Sequence, residues 1–452
     1  MKNVTSKFKG QGLVQKALRG SVVSILGFGG QQFLRLLSNI ALAYLLFPEA
    51  FGVMALVTVF LTGLQQFSDV GITQSIVQSE RGDEPVFLNT AWTIQIARGF
   101  LLWAIATALA WPMAKFYNQP VLIEIMPICA LSVLIQGFVS TKIETAKRHL
   151  EFTRITFLDL ASQVVGLLLT ILLAYTLRSI WALVIGSVVS EFAKVVVVHF
   201  FMPGHRDRIA FERPAAVEII HFGKWLFLAT IANFLLLNAD KFLIGRYVAI
   251  EMLGIYNIGF FLASFPLMMT RVVNMQVLVP FYRKSHPSTN RQLFIRARKL
   301  QLLTAGSMIS LIILLMLVGD LLVSLLYDDR YRQAGIILVA LTAMNIPQIA
   351  FMPYDQSILS TGRSRWYFYM MGFKAFIYVG CVWIGLEQAG LLGAIIGQGL
   401  AFVISYPFIA WMAVRAKVWD PVYDLIMIAI TVAVWSISWL LFSNQMMSLT
   451  VI

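Results

Sequence analysis

Seven basic side chains lie inside long apolar stretches of the sequence, where a charge is energetically costly. They are Arg35, Arg98, Lys194, Lys224, Lys241, Arg271 and Lys374. A charged side chain at the centre of a membrane-spanning helix costs about 2.5–3.5 kcal/mol on insertion scales, so it marks a functional site. Fewer acidic than basic residues lie at this depth, and an unpaired cation there needs an anionic ligand. The pattern predicts a transport pathway that binds an anion.

The composition is that of an integral membrane protein. Of the 452 residues, 59% are hydrophobic and only 13% are charged, and the mean hydropathy is +0.79. Soluble domains carry about 25% charged residues. The two cysteines, Cys129 and Cys381, lie far apart in apolar runs, which favours packing over a disulfide or a metal site. No metal and no cofactor are predicted.

Apolar segments long enough to cross a bilayer recur along the chain. They lie near residues 20–46, 51–78, 88–111, 121–141, 154–176, 180–201, 217–245, 252–280, 298–320, 333–353, 366–386, 390–413 and 421–443. About thirteen transmembrane helices are therefore predicted, in an all-α polytopic fold. No connecting loop is long enough for a folded catalytic domain, so an enzyme is not predicted.

The distribution of basic residues predicts a cytoplasmic N-terminus. With that orientation most of the 35 Lys and Arg residues fall in cytoplasmic segments, and the outer loops hold only Lys115, Arg178, Arg246, Arg330 and Arg332. This asymmetry follows the positive-inside rule. The net charge of +13 then has a topological cause, so nucleic acid is not expected as a partner.

The two halves of the chain resemble each other. A shift of 202 positions aligns FPEAFGVMALV with AIEMLGIYNIG and places Gly52 on Gly254. The same shift places Asp69 on Arg271. Six helices separate the copies, and an even number predicts a parallel repeat about an axis along the membrane normal. Two six-helix lobes, 1–216 and 217–413, are expected, followed by an extra helix and tail over 414–452.

Polar side chains recur at helical spacing on one face of the first, second, seventh and eighth spans. Such a face avoids lipid and must meet water, protein or substrate. The pattern predicts a common cavity between the lobes. The candidate binding residues are Arg35, Arg271, Lys241, Arg98, Gln31, Asn39, Asn233 and Asn274.

The embedded charges have a second interpretation, in which they only join helices. Asp69 could pair with Arg271, and Glu191 with Lys194 one turn away. For Lys194 and Asp159 both interpretations stay open. For Arg35, Arg271 and Lys241 the excess of cations favours the cavity.

Three segments carry a resemblance to a known family. They are FGVMALVTVFLTGLQQFSDVGITQSIVQ, KRHLEFTRI and HFGKWLFLATIANFLLLNADKFLIGRYVAIEMLGIYNIGFFLASFPLMM. The chain resembles the polysaccharide transporters, the Wzx-type repeat-unit flippases of the multidrug/oligosaccharidyl-lipid/polysaccharide exporter superfamily. The resemblance spans residues 15–415. It implies two six-helix bundles around a cationic cavity, although family members commonly have an even number of helices.

The resemblance implies a substrate and a location. Such proteins move an undecaprenyl-diphosphate-linked oligosaccharide of O-antigen, capsule or exopolysaccharide across the bacterial inner membrane. Arg35, Arg271 and Lys241 would neutralise the diphosphate, while Asp69 and Asp240 would hold these cations in the empty site or carry a coupling proton. Membrane lipids, a polymerase and glycosyltransferases are the expected partners. The sugar, the coupling ion and the oligomeric state are left open.

Two other transport functions are weighed against this one. A multidrug or cation antiporter of the same superfamily would favour acidic residues at mid-membrane depth, whereas bases predominate here. A lipid II flippase is closer in chemistry, and only the similarity of the specific segments argues against it.

Overall fold

The computed structural model describes residues 4–68, 71–284, 290–360 and 364–450. In these ranges the regular structure consists of α-helices and two short 3₁₀ turns, and no β-strand is present. The predicted all-α fold is confirmed. An apolar chain in a bilayer folds this way because a helix satisfies its backbone hydrogen bonds within itself.

Eight helices occupy the first part of the chain. They are α1 (Val4–Leu45), α2 (Pro48–Phe67), α3 (Ile72–Gln78), α4 (Pro85–Tyr117), α5 (Leu122–Gln136), α6 (Lys142–Arg148), α7 (Phe152–Leu177) and α8 (Trp181–Phe201). The second part begins with α9 (Arg213–Tyr247), α10 (Ile250–Ala263) and α11 (Phe265–Lys284). It continues with α12 (Arg291–Leu326), α13 (Gln333–Met344), α14 (Ile346–Ser360), α15 (Ser364–Arg415) and α16 (Pro421–Met447).

In the described ranges, eight helical segments are long and apolar enough to cross a membrane, and nine if the bent pair α13 and α14 forms one span. One of the eight, α15, contains two helical rods that join at a kink where Ala389 and Gly390 leave helical geometry. The chain is a multi-pass membrane protein. The number of thirteen crossings stays a prediction.

Three spans that the hydropathy predicts as continuous are broken. The span 51–78 divides at Gly71, whose φ of 68° is left-handed and suits glycine. The spans 252–280 and 333–353 divide at Ser264 and Asn345, between α10 and α11 and between α13 and α14. Pro266 and Pro347 follow in the second position of the next helix, where the missing N–H is tolerated but the preceding helix cannot continue.

The chain divides into two compact units. The first unit contains the chain up to Leu46 together with Phe60–Phe227, and the second contains Phe47–Val59 together with the chain from Leu228 onward. The first half of α2 thus belongs to the second unit. The lobe boundaries at 216/217 and 413/414 stay predictions.

Within the second unit, α2 and α10 meet at two glycines. A Cβ atom on Gly52 would overlap the carbonyl oxygen of Ile250, and one on Gly254 would overlap the carbonyl oxygen of Pro48. The contact is reciprocal, because the shift of 202 positions relates Gly52 to Gly254 and Pro48 to Ile250. Two copies related by a twofold axis make contacts of this kind. The geometry is compatible with the predicted internal repeat.

Helix α16 is attached to the second unit by a buried carboxylate. Asp420 caps the helix by accepting hydrogen bonds from the backbone N–H groups of Val422 and Tyr423, both at 3.1 Å. The same carboxylate pairs with Arg298 of α12 at 2.5 and 2.8 Å. One turn later, Asp424 accepts hydrogen bonds from Tyr354, Tyr406 and Trp419. These charge-assisted bonds hold the start of the last helix in place.

A charged cluster closes the turn between α3 and α4 in the first unit. Arg148 donates to three backbone carbonyl oxygens at the end of α3 and, at 3.0 Å, to Asp83. The ring of His149 contacts the other oxygen of Asp83 at 2.9 Å. Burial raises the pKa of Asp83, but the hydrogen bonds from His149 and Arg148 outweigh it and hold that pKa below its ordinary value.

This cluster predicts a loss of stability in acid. A carboxyl group with a lowered pKa in the folded state stabilises the protein above its unfolded pKa, and the stabilisation disappears as the pH falls through the folded pKa, below about 4. The effect is small, because the Asp83 side chain is 48% exposed and solvent screens the pair. We expect the melting temperature in detergent to decrease less between pH 5 and pH 3 in the Asp83→Asn variant than in the wild type. An equally steep fall in the variant would contradict the assignment.

Candidate functional site

A polar cavity of about 240 Å³ lies within the second unit, and we call it the Arg271 cavity. Four helices line it, α9, α11, α14 and α15. Its polar lining residues are Asn233, Arg271, Gln348, Asp355, Gln356, Tyr367 and Lys374. The cavity brings together two of the predicted binding residues, Asn233 and Arg271, with charged residues that the sequence prediction did not assign to the site.

A buried ion pair is the main charged feature of this cavity. The Nζ atom of Lys374 lies 2.5 Å from Oδ1 of Asp355, and the two side chains are 4% and 15% exposed. A pair at this depth depends on its partner, because each charge alone would lose its hydration without compensation. Arg271 adds a second cation, so the cationic side chains lining the cavity outnumber the acidic ones. The arrangement is suited to an anionic ligand.

Lys241 and Asp240 lie in a separate, closed cluster. The Nζ atom of Lys241 lies 3.5 Å from the ring centre of Phe260 and 3.4 Å from Oδ2 of Asp240. Asp240 also accepts a hydrogen bond of 2.6 Å from Tyr256, whose hydroxyl accepts one from Gln398. Lys241 is 6% exposed and Asp240 is fully buried. Neither lines the Arg271 cavity, and their predicted binding and coupling roles stay predictions.

The remaining predicted residues lie on α1 and α11. On α1, Arg35 is exposed, and Gln31 and Asn39 are half-buried. The backbone carbonyl of Gln31 accepts a hydrogen bond of 3.1 Å from Gln163 of α7. On α11, Asn274 is fully buried, and neither polar atom of its amide has a hydrogen-bond partner among the described residues.

Asp69, the other predicted charge-balancing residue, lies outside the described residues. Its predicted partnership with Arg271 therefore stays a prediction.

A second polar cavity, of about 410 Å³, lies within the first unit, and we call it the Gln66 cavity. Its polar lining residues are Gln65, Gln66, Thr73, Gln95, Arg98, Gln136, Ser140, Glu144, Lys147, Asp159 and Lys194. Four of these residues are glutamines, whereas two glutamines line the Arg271 cavity.

Arg98 lines the Gln66 cavity but also holds the end of α2. Its Nε atom donates to Ser68 Oγ at 2.9 Å, and its Nη2 atom donates to the carbonyl oxygen of Gln65. The last carbonyls of a helix have no partner within the helix, and an arginine can satisfy them. Its predicted role in substrate binding stays a prediction.

Asp355 was missed because the predicted tenth span ended at residue 353. In the structure α14 continues through Asp355 to Ser360, so the carboxylate lies inside a helix instead of a loop. A search for a carboxylate near the C-terminal end of the preceding span, as a partner for the embedded Lys374, would have found it.

The fold resembles those of two solved membrane transporters. Over 95% of this chain and 100% of the other, it resembles the lipid II flippase MurJ in an inward closed conformation, with a TM-score of 0.61 and 11% identity. It also resembles a mutant of the Vibrio cholerae MATE transporter VcmN, with a TM-score of 0.58 and 13% identity over 92% and 99% of the two chains. At these identities the likeness concerns the fold alone.

The family follows from the sequence. A family model described as "polysaccharide biosynthesis protein" matches residues 41–335, well over half of the chain. The chain belongs to this family, and the resemblance predicted from its segments is confirmed.

Named relatives agree with this assignment. The lipopolysaccharide biosynthesis protein WzxC of Escherichia coli is 21% identical over 85% of this chain and 77% of that protein. The teichuronic acid biosynthesis protein TuaB of Bacillus subtilis is 22% identical over 76% and 71% of the two chains. The succinoglycan biosynthesis transport protein ExoT of Rhizobium meliloti is 20% identical over 87% and 79%.

Proposed function

We propose that the protein is a flippase that moves an undecaprenyl-diphosphate-linked oligosaccharide across the bacterial inner membrane by alternating access. The family assignment and relatives named for lipopolysaccharide, teichuronic acid and succinoglycan biosynthesis support this proposal. The N-terminus lies in the cytoplasm, where the positive-inside rule places the basic loops. The lobes 1–216 and 217–413 open alternately, and residues 414–452 form an additional helix and tail.

The observation that carries the proposal is the excess of cations in the Arg271 cavity. A diphosphate carries negative charge on several oxygens, and a guanidinium can bind two of them at once. Arg271 binds the diphosphate, while Lys374 remains paired with Asp355 and offsets the negative charge of that carboxylate. The polyprenyl tail stays in the bilayer. Moving a bound lipid in this way requires no covalent chemistry.

A reconstitution experiment tests the function directly. Protein in liposomes is given a fluorescently labelled, polyprenyl-diphosphate-linked oligosaccharide in both leaflets, and a membrane-impermeant quencher reports the outer one. Liposomes with protein are expected to exchange the labelled lipid between leaflets, and empty liposomes are not. Exchange of a cationic dye instead of the lipid-linked sugar would favour the multidrug antiporter. Exchange of lipid II alone would favour the lipid II flippase.

Removal of the predicted phosphate-binding arginines is expected to weaken substrate binding. Each of Arg271→Ala and Arg35→Ala should lower the affinity for undecaprenyl diphosphate by about tenfold, the loss of one or two charge-assisted hydrogen bonds. Arg271→Lys should recover part of the affinity, because the charge remains but the bidentate geometry is lost. Lys115→Ala, in a predicted outer loop, is the control. Wild-type export in both alanine variants would remove the phosphate-binding assignment.

The proposed flippase acts next to the enzymes of its pathway. Its lipid-linked substrate requires glycosyltransferases to assemble the sugar and, on the other side of the membrane, a polymerase to join the units. Both are proposed partners. A multidrug or cation antiporter is the weaker proposal, because a cationic drug would be repelled by the excess of cations that lines the Arg271 cavity.

A further inference from the structure

The Gln66 cavity is lined by amide and hydroxyl groups that the binding of a diphosphate does not require. Its lining combines four glutamine amides with Thr73, Ser140 and the charged pair Asp159 and Lys194. Its volume of about 410 Å³ lies within the range of ligand-binding pockets. Resting on the flippase function proposed above, we propose that this cavity binds the saccharide part of the substrate through its hydroxyl groups.

One glutamine in this cavity has an unused hydrogen-bond acceptor. The amide of Gln65 donates to Gln136 at 2.9 Å, and that of Gln95 donates to three backbone carbonyls at the end of α5 and just beyond it. The amides of Gln65 and Gln95 therefore make hydrogen bonds within the protein that stabilise its fold. By contrast, Oε1 of Gln66 is buried and has no hydrogen-bond partner among the described residues. A buried acceptor without a donor is costly, and a sugar hydroxyl is a donor that would satisfy it.

The charged pair Asp159 and Lys194, which also lines the cavity, has room for a bridging group. Nζ of Lys194 on α8 lies 4.0 Å from Oδ1 of Asp159 on α7, which is too long for a hydrogen bond. A hydroxyl group is both a donor and an acceptor. Placed between the two side chains, it would donate to the carboxylate and accept from the ammonium group. A bare cation or anion could satisfy only one of them.

The partners of the cations in the Gln66 cavity argue against a second phosphate site. Arg98 already donates to Ser68 and Gln65, and Lys147 pairs with Glu144 at 3.1 Å. The remaining cation, Lys194, faces Asp159. Each of the three cations lining this cavity therefore has an acidic, hydroxyl or carbonyl partner, although its lining, like that of the Arg271 cavity, holds one more basic than acidic side chain. The geometry is better matched to hydroxyl groups than to a diphosphate.

Binding of three probes to the full-length protein in nanodiscs tests the inference. They are the lipid-linked repeat unit extracted from the producing strain, the glycan released from it by mild acid, and undecaprenyl diphosphate. Gln66→Leu and Asp159→Asn are each expected to weaken binding of the first two probes by about tenfold, and to leave binding of undecaprenyl diphosphate unchanged. Arg271→Ala should weaken binding of undecaprenyl diphosphate without changing that of the released glycan.

Gln74→Leu is a matched control. Gln74 lies nearby in α3 and also has a buried Oε1 without a partner among the described residues, but it does not line the cavity. Its variant should bind all three probes like the wild type. Equal losses in the Gln66 and Gln74 variants, or unchanged glycan binding in both, would overturn the saccharide site. A wild-type protein that binds no lipid-linked unit would instead overturn the proposed function.

Discussion

Replacing Lys374 with methionine is expected to abolish polysaccharide export. It is also expected to reduce strongly the amount of folded protein in the membrane. The side chain of Lys374 is 4% exposed and pairs with Asp355 at 2.5 Å. Removal of Lys374 leaves the buried carboxylate of Asp355 without its hydrogen-bonded ion-pair partner, which costs up to about 3–5 kcal/mol, because Arg271 interacts with it only through its charge. That is a large part of the free energy of unfolding of an ordinary domain, about 5–15 kcal/mol. The amount of folded protein is measured by fluorescence-detected size-exclusion chromatography of detergent extracts.

The doubly substituted protein separates stability from function. Neutralising both partners of a buried pair with groups of similar volume is often neutral for stability. Lys374→Met combined with Asp355→Asn should therefore recover the amount of folded protein. It should not recover export, because the cavity loses the N–H donors of the Lys374 ammonium group, although the net charge of its lining is unchanged. Wild-type export by the double variant would show that this ammonium group is not needed.

A surface pair provides the matched control. Arg330 pairs with Asp328 at 2.8 Å, but the two side chains are 31% and 36% exposed. Water solvates either charge when its partner is removed. Arg330→Met should therefore leave both the amount of folded protein and export close to the wild type. A loss as large as that of Lys374→Met would mean that burial does not explain the Lys374 effect.

The fold class and the family could be predicted because they depend on long-range averages. Hydropathy averaged over about twenty residues identifies a membrane span even when the predicted ends differ from the true ends by several residues. The breaks within spans depend on single residues instead. Gly71 ends a span through a left-handed backbone, and only the structure shows that this conformation is adopted there. Asp355 was lost for the same reason, because a span boundary was placed two residues before it.

The site could be predicted only in part, because a helical pattern shows one face of one helix. Arg271 and Asn233 lie on polar faces of their own helices, and they line one cavity. The environment of Lys241 depends on Phe260 and Tyr256, which belong to the next helix. An aromatic ring can stabilise a buried cation, but the pattern of α9 contains no information about it. Pairings between helices are thus the part that sequence periodicity leaves undetermined.

Alanine at either Gly52 or Gly254 is expected to destabilise the protein and reduce export. In both cases the added methyl group would overlap a backbone carbonyl oxygen of the facing helix. A backbone cannot rotate away as a side chain can, so α2 and α10 must separate, at a cost of about 1–3 kcal/mol for overpacking. The melting temperature in detergent measures this cost. Gly306→Ala is the control, because its methyl group would meet no atom of a neighbouring element within 4 Å among the described residues and alanine favours a helix.

The reciprocal geometry makes a stronger prediction for the two substitutions together. Gly52 and Gly254 meet the carbonyl groups of Ile250 and Pro48 at one contact between the same two helices. Once one alanine has separated the helices, the second meets less resistance, so the double variant should lose less stability than the two single variants added together. A double-mutant cycle of melting temperatures measures the difference. Strictly additive losses would mean that the two glycines act at independent contacts. The correspondence of Gly52 and Gly254 in the sequence repeat would then not reflect a shared contact between α2 and α10.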